Sequence, residues 1–540
     1  MARSRWMEQV LRMAQAGHSP EDAGTAIAQV ADPGNPQDAG RRRALRGAVA
    51  GVTTVCAGAL APPLLAAAGS SEARALVARF TRGRGVAVVG AGIAGLACAT
   101  ELARNQIQTR VFEAATRVGG RCWSLRDTFP GQVAERGAEF IGSSHHAMLG
   151  YARALDLRLE TVDSNTGTGF HHYAGARYSE IEIAAEFREF AGVIREDIEA
   201  VGAPNADRFT PQAELFDFMT LDEYLVLYGA SGLLRSVLRN AFLAEFGSEL
   251  DEVSALAFLR FVYGDRRSKF GHGAPGDSLR VVGGNDLIAT GLARLLPQPI
   301  AHGHRLVAIN RQFTGGVRLT FDIGGQRVQS DHDAVVLALP FSVLREVQFG
   351  AGIDMPAWKR LAIDGAEMGD ASRLLVGFQR PYWRDSGANG SGNADLPYIQ
   401  NVWETNPSKA SRLGAVLAQQ VGGAAARALV PASLQSDAAG FLAALEEVLP
   451  GARDSATRSR GKIVAATENW RINRNSRGAM PRPQPGYFTR IAHREAAPLG
   501  NILFAGDHTS SFYEWQGFME GAALSGLRAA NEACDLMSAH

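Results

Sequence analysis

A glycine-rich turn followed by an acid is the feature of this sequence whose chemistry is most specific. Gly90, Gly92 and Gly95 form a Gly-x-Gly-x-x-Gly pattern, and Glu113 lies 18 residues after the last of them. Glycines at these positions allow a tight turn, a close approach of the backbone to a pyrophosphate, and close packing of the next helix on its strand. A carboxylate at this distance suits the ribose hydroxyls and disfavours a 2′-phosphate. The pattern predicts a site for NAD or FAD, and a turn without any ligand is the alternative.

Apolar runs around the glycines predict the elements that would position them. Val86–Val89 is typical of a buried parallel strand, residues 96–102 of a helix, and Thr109–Phe112 of a second strand that ends at the acid. The helix would direct its N-terminal amides and the positive end of its dipole at the phosphates. The order of strand, helix, strand and acid favours a dinucleotide site over an isolated glycine turn.

The motif Arg-x-Gly-Gly-Arg comes directly after the second predicted strand, and it consists of Arg117, Gly119, Gly120 and Arg121. The two glycines let the chain pass close to a dinucleotide, and Arg121 can neutralise a phosphate. The combination resembles the segment that follows the ribose-binding acid in the flavin-containing amine oxidase family. That family includes monoamine oxidases, polyamine oxidases and L-amino-acid oxidases. The resemblance implies FAD rather than NAD.

The C-terminal residues 501–530 also resemble that family. Ile502–Phe504 predicts a strand, and Asp507 after it resembles the acid that binds the ribityl chain. Residues 517–522 resemble the start of a helix whose N-terminal amides face flavin N1 and O2, where negative charge gathers on reduction. Phe518 falls at an aromatic position of the family's substrate cage, where a ring would orient an amine and exclude water.

Residues 134–142 resemble the family segment that passes beside the flavin ring. Gly137 and Ala138 are small where the backbone would lie against the ring. Glu139 would face the substrate cavity, and a solvated or salt-bridged acid is the alternative. Leu306 falls where the family places a backbone contact to the adenine.

A pair of histidines, His145 and His146, follows in a serine-containing loop. Acid–base catalysis is one interpretation of this pair. A surface position is the other, and it is the more common one for histidines in such a loop.

The resemblance also has departures that bear on activity. Many members carry a lysine that binds a water at flavin N5 and assists the reaction with oxygen, and Arg373, on a predicted strand over 371–378, takes its position here. An arginine stays charged and has a planar fork, so it could hold a water, place positive charge near superoxide or bind a substrate carboxylate. A shifted alignment would instead leave it on the outer face of the strand. Ala479 replaces the cysteine that links covalently to flavin in monoamine oxidases, which implies non-covalent FAD. Met480 replaces an aromatic wall of the cage, and Trp470 begins the stretch under the flavin.

These matches implicate two sets of residues. Catalytic or cage roles are implied for Arg373, Trp470, Met480 and Phe518. Cofactor binding is implied for Gly90, Gly92, Ile93, Ala94, Gly95, Glu113, Ala114, Gly120, Arg121, Gly137, Ala138, Glu139, Leu306, Gly506, Asp507, Phe518, Met519 and Ala522.

The predicted elements and the resemblance give an α/β fold in which a Rossmann-like FAD domain with a parallel sheet is interleaved with a mixed α+β substrate domain. A helical pattern extends from residue 147 to about 263, and strands are expected at 305–310, 317–321 and 334–339, the last of which would close the flavin sheet. The predicted segments are an N-terminal extension (1–80), FAD-domain parts (84–150, 281–345 and 466–540), a helical substrate part (151–280) and a sheet substrate part (346–465).

The N-terminal extension contains a stretch, residues 41–68, that resembles a twin-arginine export signal. It begins with three arginines, continues as an uncharged Ala- and Gly-rich run and ends at an A-x-A-like site. The long preceding segment and the Pro62-Pro63 pair are unusual for such a signal, so a docked or loose extension is the alternative. The sequence predicts a periplasmic or exported protein, or otherwise a cytoplasmic one. Gly and Ala insert poorly into bilayers, which disfavours a stable membrane span.

Composition limits the range of other functions. The 540 residues include 55 Lys and Arg and 55 Asp and Glu, so the formal net charge is zero and no nucleic-acid surface is indicated. The length predicts two domains. The four cysteines lack Cys-x-x-Cys spacing, which argues against a zinc site and a disulfide framework. No metal site is predicted.

The resemblance implies oxidation of a C–N bond in a small amine. Hydride transfer to flavin N5 would give an imine that hydrolyses to a carbonyl compound and ammonia or an amine, with oxygen reduced to hydrogen peroxide. Two alternatives remain open. One is an L-amino-acid oxidase or monooxygenase on the same scaffold, with Arg373 holding the carboxylate, and the other is a flavin-binding protein with little oxidase turnover. The expected partners are an amine or amino-acid substrate and oxygen, and a homodimer is left open.

Overall fold

The computed structural model describes residues 85–162, 167–263, 278–313, 315–405, 414–510 and 515–538. The N-terminal extension, with the export-signal stretch at 41–68, lies outside these residues. No helix in the described ranges has both the length and the apolar character that crossing a bilayer requires.

The helices and strands fall into four groups along the chain. The first group is β1 (Val86–Val89), α1 (Ile93–Arg104), β2 (Thr109–Phe112), β3 (Ser124–Leu125), β4 (Ala134–Glu135), β5 (Ile141–Gly142), α2 (His146–Ala154) and β6 (Leu159–Thr161). The second is β7 (Thr168–Tyr173), β8 (Ala176–Arg177), α3 (Glu180–Val193), α4 (Arg195–Val201), α5 (Pro211–Phe218), α6 (Leu221–Leu227), α7 (Gly232–Phe246) and α8 (Ala255–Tyr263). The third is β9 (Ser278–Val281), α9 (Asp286–Arg294), β10 (Arg305–Arg311), β11 (Val317–Ile323), β12 (Gln326–His332), β13 (Ala334–Leu337), α10 (Phe341–Leu344) and β14 (Gln348–Phe349). The fourth is α11 (Ala357–Gly365), β15 (Glu367–Gly369), β16 (Ala371–Phe378), β17 (Ala388–Ala394), β18 (Asn401–Glu404), β19 (Ala415–Gly422), α12 (Gly423–Ala428), α13 (Leu434–Val448), α14 (Ala452–Ser455), β20 (Arg458–Ser459), β21 (Lys462–Ile463), β22 (Ala465–Asn469), β23 (Met480–Arg482), α15 (Tyr487–Arg490), β24 (Ile502–Phe504) and α16 (Met519–Ser538).

Four parallel strands in the order β2-β1-β13-β24 form the sheet that carries the glycine turn. Every residue of β1 is buried, as expected for an apolar strand covered on both faces. Val86 and Val88 pack with the helices α1 and α16 on one face. These helices lie so close that a Cβ at Gly526 would be 2.2 Å from the carbonyl oxygen of Ala94. The strands predicted at β1, β2 and β24 are confirmed at the same residues.

The other face of the parallel sheet packs on a second sheet, of order β12-β11-β10-β14. Ala87 and Val89 share a core with Ile309 and Phe321 from that sheet. The strands predicted from residues 305 and 317 are confirmed, and each extends slightly further than expected.

A separate seven-stranded sheet has the order β22-β16-β19-β18-β17-β7-β8. One face packs on α13, with Leu374 and Val376 against Phe441. The opposite face places Leu375 and Trp403 in a cluster with residues that follow the Arg-x-Gly-Gly-Arg motif, such as Phe129 and Phe140.

Three expectations about the fold are corrected. The helical pattern expected from 147 is interrupted, because residues 159–161, 168–173 and 176–177 form β6, β7 and β8, and β7 pairs with β17 more than 200 residues later. Strand β13 does not close the parallel sheet, since it lies between β1 and β24. The predicted domain boundary at 465/466 falls within β22, which pairs with β16 in the seven-stranded sheet.

Candidate cofactor and substrate site

A large cleft opens at the carboxyl ends of the parallel strands β1, β2, β13 and β24. Its empty volume is about 1210 Å³, including the solvent space at its mouth. Ligands of open α/β sheets bind at this end of the strands. Residues from Val89 to Ala522 line the cleft, so distant parts of the chain meet there.

The three glycines of the turn play different geometric roles. Gly90 has φ +106°, and a Cβ there would lie 2.4 Å from the carbonyl oxygen of Ala338. A Cβ at Gly95 would lie 1.8 Å from the carbonyl oxygen of Gly90, so α1 can approach β1 only with glycine at this position. A Cβ at Gly92 would meet no atom within 4 Å, and Gly92 lines the cleft. The first and third glycines therefore permit packing, whereas the second leaves space beside the N-terminus of α1.

Glu113 is fixed at the end of β2 by two backbone hydrogen bonds. Its carboxylate oxygens accept from the amides of Ala91 and Ala115, each at 2.7 Å. Ala91 belongs to the glycine turn, so the acid and the turn are joined directly. Both Glu113 and the turn line the cleft, which places a carboxylate beside the N-terminus of α1.

Arg121 and Asp507 form an ion pair, and both residues line the cleft. Arg121 Nη1 donates to Asp507 Oδ2 at 3.0 Å and to the carbonyl oxygen of Ala479 at 2.6 Å. Burial raises the pKa of Asp507, but the positive charge of the Arg121 guanidinium outweighs it and holds that pKa well below its ordinary value. The Asp507 carboxylate neutralises the Arg121 guanidinium. The phosphate contact expected of Arg121 and the ribityl contact expected of Asp507 therefore remain predictions.

An aromatic group that includes residues of the C-terminal segment reaches the cleft at Phe518. Phe518 and Trp515 contact each other edge to face, with ring centroids 6.1 Å apart. His145 packs on both, at 5.2 Å from Trp515 and 5.6 Å from Phe518, and its Nδ1 accepts from the Gly142 amide at 3.1 Å. The surface interpretation is therefore wrong for His145, which is buried, whereas His146 is exposed.

Trp470 and Phe518 both line the cleft, as a cage would require, but Met480 does not. Met480 is buried with Ala371, Trp470 and Ala479 in a small core cluster. Gly137 likewise lies behind the cleft wall, where a Cβ would be 2.8 Å from Trp470 Cζ2.

Arg373 is buried, and its charge is balanced inside the protein. Its Nη1 donates to Glu139 Oε2 at 2.9 Å and to the Glu135 carbonyl oxygen at 2.8 Å, and its Nη2 donates to Gln420 Oε1 at 3.2 Å. The guanidinium also lies 5.0 Å from the centre of the Trp403 ring. The outer-face alternative is wrong. The salt-bridge alternative holds for Glu139, whose carboxylate faces Arg373 and Trp403 rather than the cleft.

The predicted residues divide between the cleft wall and the structure behind it. Those that line the cleft are Gly90, Gly92, Ile93, Ala94, Glu113, Ala114, Gly120, Arg121, Ala138, Leu306, Trp470, Gly506, Asp507, Phe518, Met519 and Ala522. Those absent from the lining are Gly95, Gly137, Glu139, Arg373 and Met480.

Sequence reasoning missed several lining residues. Pro340 and Val343 follow β13, and the rule that ligands bind at the ends of parallel strands could have found them. Asn473 and Ser476 come from the turn after Trp470, and no local pattern marks them. His508 also lines the cleft, although only its neighbour Asp507 carries the family resemblance.

Within the described ranges, no group of three or more His, Cys, Asp or Glu side chains is arranged to hold a metal ion. Cys122 lines the cleft as a free thiol, and burial raises its pKa well above the ordinary value, with the Glu135 charge acting in the same direction.

Residues 93–534 match the model of the family described as flavin-containing amine oxidoreductase. The chain belongs to this family. It is 29% identical over 476 residues to AofH of Mycobacterium tuberculosis, which carries the name of a flavin-containing monoamine oxidase; the match covers 84% of this chain and 97% of AofH. It is 26% identical over 488 residues to a mouse L-amino-acid oxidase, covering 84% of this chain and 71% of that protein. In fold it resembles a putrescine oxidase solved with putrescine bound, with a TM-score of 0.70 at 22% identity, covering 84% and 98% of the two chains.

The cleft of this flavin-containing amine oxidoreductase has features that fit a flavin dinucleotide. The open space beside Gly92 and the unpaired first-turn amides of α1 can accept a pyrophosphate, which a side chain at Gly92 would obstruct. Glu113, held by Ala91 and Ala115, keeps lone pairs for ribose hydroxyls.

Proposed function

We propose that this chain is an FAD-dependent oxidase of small amines that lack a carboxylate. The observation that carries the proposal is that one cleft joins the glycine turn and Glu113 to the aromatic pair Trp470 and Phe518. This arrangement provides a nucleotide site and an apolar wall for a substrate in a single cavity, in a family that acts on amines.

A bound flavin would supply a two-electron acceptor for the hydride that leaves the carbon next to nitrogen, with oxygen as the final acceptor and hydrogen peroxide as the product. The rings of Trp470 and Phe518 would orient the amine and keep water from the reacting carbon. His145 packs on Phe518 and Trp515 and so positions that wall. The amine must be neutral to lose a hydride, so the rate should rise with pH through the pKa of the substrate. The imine product then hydrolyses to a carbonyl compound.

The ion pair between Arg373 and Glu139 argues against the L-amino-acid oxidase alternative, in which Arg373 would hold the substrate carboxylate. A carboxylate ligand would have to displace Glu139 from a buried ion pair, and removing one partner of such a pair is strongly unfavourable. Because Glu139 balances the charge of Arg373, the arginine does not supply the positive charge near superoxide that was expected to assist the reaction with oxygen. We therefore assign Arg373 a role in positioning the segment that carries Glu139 and Ala138.

FAD is proposed to bind non-covalently. Ala479 cannot form a thioether, and the thiol of Cys122 has a pKa raised by burial, so little of the reactive thiolate is present.

Anaerobic mixing with a matched pair of substrates tests the proposal. Phenethylamine and L-phenylalanine differ only in the carboxylate, so the pair isolates its effect, and putrescine and benzylamine extend the amine panel. We expect phenethylamine or another amine of the panel to bleach the flavin absorbance and L-phenylalanine to leave it unchanged. Bleaching by the amino acid alone would establish the L-amino-acid oxidase alternative. No bleaching by any compound of a broad panel would favour a flavin-binding protein with little turnover.

A further inference from the structure

His508 is a buried imidazole with no part in the proposed oxidation. It is 3% exposed, lines the cleft and directly follows Asp507. Among the described residues, neither of its ring nitrogens has a hydrogen-bond partner. Asp507 Oδ1 lies 3.9 Å from Nδ1, which is too distant for a hydrogen bond.

The surroundings of the ring keep it fixed and neutral. Its edge packs on Phe341, with ring centroids 4.5 Å apart, and its Cε1 lies 2.4 Å from where a Cβ of Gly506 would be. Burial lowers the pKa of His508, and the charges of Arg121 and Lys359 act in the same direction, against the attraction of Asp507. A neutral imidazole offers one donor and one acceptor.

A buried polar group without a partner is costly, so such groups usually have a ligand or an ordered water in the functional state. His508 follows β24, and Glu113 follows β2, at the opposite edge of the same four-stranded sheet. Three strand spacings of about 4.8 Å place these two ends of the cleft roughly 14 Å apart. His508 therefore lies at the end away from the adenosine ribose that Glu113 would hold.

We propose that the His508 imidazole hydrogen-bonds the ribityl–flavin half of the bound cofactor through one of its ring nitrogens. The proposal rests on the assignment of the cleft to FAD. The ribityl hydroxyls and the polar edge of the flavin ring can both donate and accept, which matches a neutral imidazole.

The test uses the full chain freed of cofactor and titrated with FAD and, separately, with ADP, which carries only the adenosine and pyrophosphate half. His508→Leu should weaken FAD binding about tenfold, the loss of one net hydrogen bond, and leave ADP binding unchanged. Its thermal midpoint without FAD should equal or exceed that of the unaltered chain, because an unpaired buried polar group has been removed. A side chain with a purely structural role would lower that midpoint instead.

Two amide variants identify the nitrogen involved. His508→Asn places an amide near the position of Nδ1, and His508→Gln places one near Nε2, so one of the two should restore most of the FAD affinity. His171→Leu is the matched control, because His171 is 4% exposed and lies on β7, outside the cleft. It should leave FAD affinity unchanged.

Unaltered FAD affinity in His508→Leu, an equal loss with ADP, or a loss that neither amide restores would each overturn the role of His508. Failure of the unaltered chain to bind FAD would overturn the flavin assignment itself, so the two failures are distinguishable.

Discussion

Arg373 illustrates how a single residue can look like a catalytic group in the sequence and be a structural one in the fold. Its side chain is 5% exposed, and that of Glu139 is 1% exposed, so neither charge has water to solvate it. Each depends on the other, and Trp403 contacts both. Buried pairs of this kind cost free energy to assemble, but losing one partner costs more.

We expect Arg373→Ala to lower the free energy of unfolding by about 3–5 kcal/mol, since the buried Glu139 carboxylate would lose its counter-ion. The double variant Arg373→Met with Glu139→Gln should recover much of that loss, because no buried charge remains. Chemical denaturation of the three proteins measures this. If Arg373→Ala were as stable as the unaltered chain, the Arg373 and Glu139 side chains would not be buried together away from water.

A substitution at Gly92 tests the nucleotide site in the cleft. Gly92→Val should abolish flavin retention, because its branched side chain enters the space left for the pyrophosphate. Gly192→Val is the matched control, since Gly192 lies exposed in α3 and a Cβ there also meets no atom within 4 Å. The flavin content of the purified variants decides the matter. A fully loaded Gly92→Val protein would place the cofactor elsewhere.

The sequence predicted residues whose signal is local and missed those whose role depends on distant partners. Gly90, Gly95 and Glu113 lie within one strand–helix–strand unit, so their spacing alone indicates their geometry. The partner of Arg373 is 234 positions away, and nothing near either residue reveals the contact. Asn473 reaches the cleft only because a turn brings it there.

At the scale of elements, α2 and α16 are joined by a buried acid. Glu520, in the first turn of α16, accepts from the Ala147 amide at 2.9 Å and the Met148 amide at 3.0 Å. Both amides lie in the first turn of α2, where a helix offers them no acceptor of its own. The same first turn of α16 follows Phe518, and α2 follows His145. The acid therefore ties the aromatic wall of the cleft to the helix that supports it.

The protonation of Glu520 should make stability depend on pH. Burial raises its pKa from 4.5 to about 7, although the Ala147 and Met148 amides oppose the shift. The folded state then binds one proton more than the unfolded state between these values, so stability should fall as pH rises, by about 1.4 kcal/mol per pH unit. Glu520→Gln should remove this contribution.

Denaturation of both proteins between pH 4.5 and 7 checks the sign and size of that effect. Glu135 and Glu495 also have pKa values raised to about 7 by burial, but they are present in both proteins and cancel in the difference. Parallel stability curves would show that Glu520 is already ionised at the lower pH.

The elements themselves were predictable where they are apolar and regular. The parallel strands are short hydrophobic runs, and their residues were confirmed. Strand β7 was missed because its sequence, TGFHHY, is partly polar and its pairing with β17 is non-local. The sequence of β17, ANGSGNA, has no β-branched or aromatic residue, so only tertiary context makes it a strand.

At the scale of the whole molecule, the cleft depends on three separated parts of the chain. The parallel sheet takes β1 and β2 from the first, β13 from the second and β24 from the third, and the Arg121–Asp507 ion pair joins the first part to the last. The seven-stranded sheet meets these parts through Trp403 and Phe140. A cofactor bound in this cleft would contact residues from all three parts of the chain.

The absorbance spectrum of the purified chain, before and after acid precipitation, shows whether the protein binds FAD and whether the bond is covalent. We expect the visible bands of oxidised flavin at close to one FAD per chain, with all of the colour released into the supernatant as free FAD. A colourless, folded protein that takes up no added FAD would contradict the account, and colour retained in the precipitate would contradict non-covalent binding.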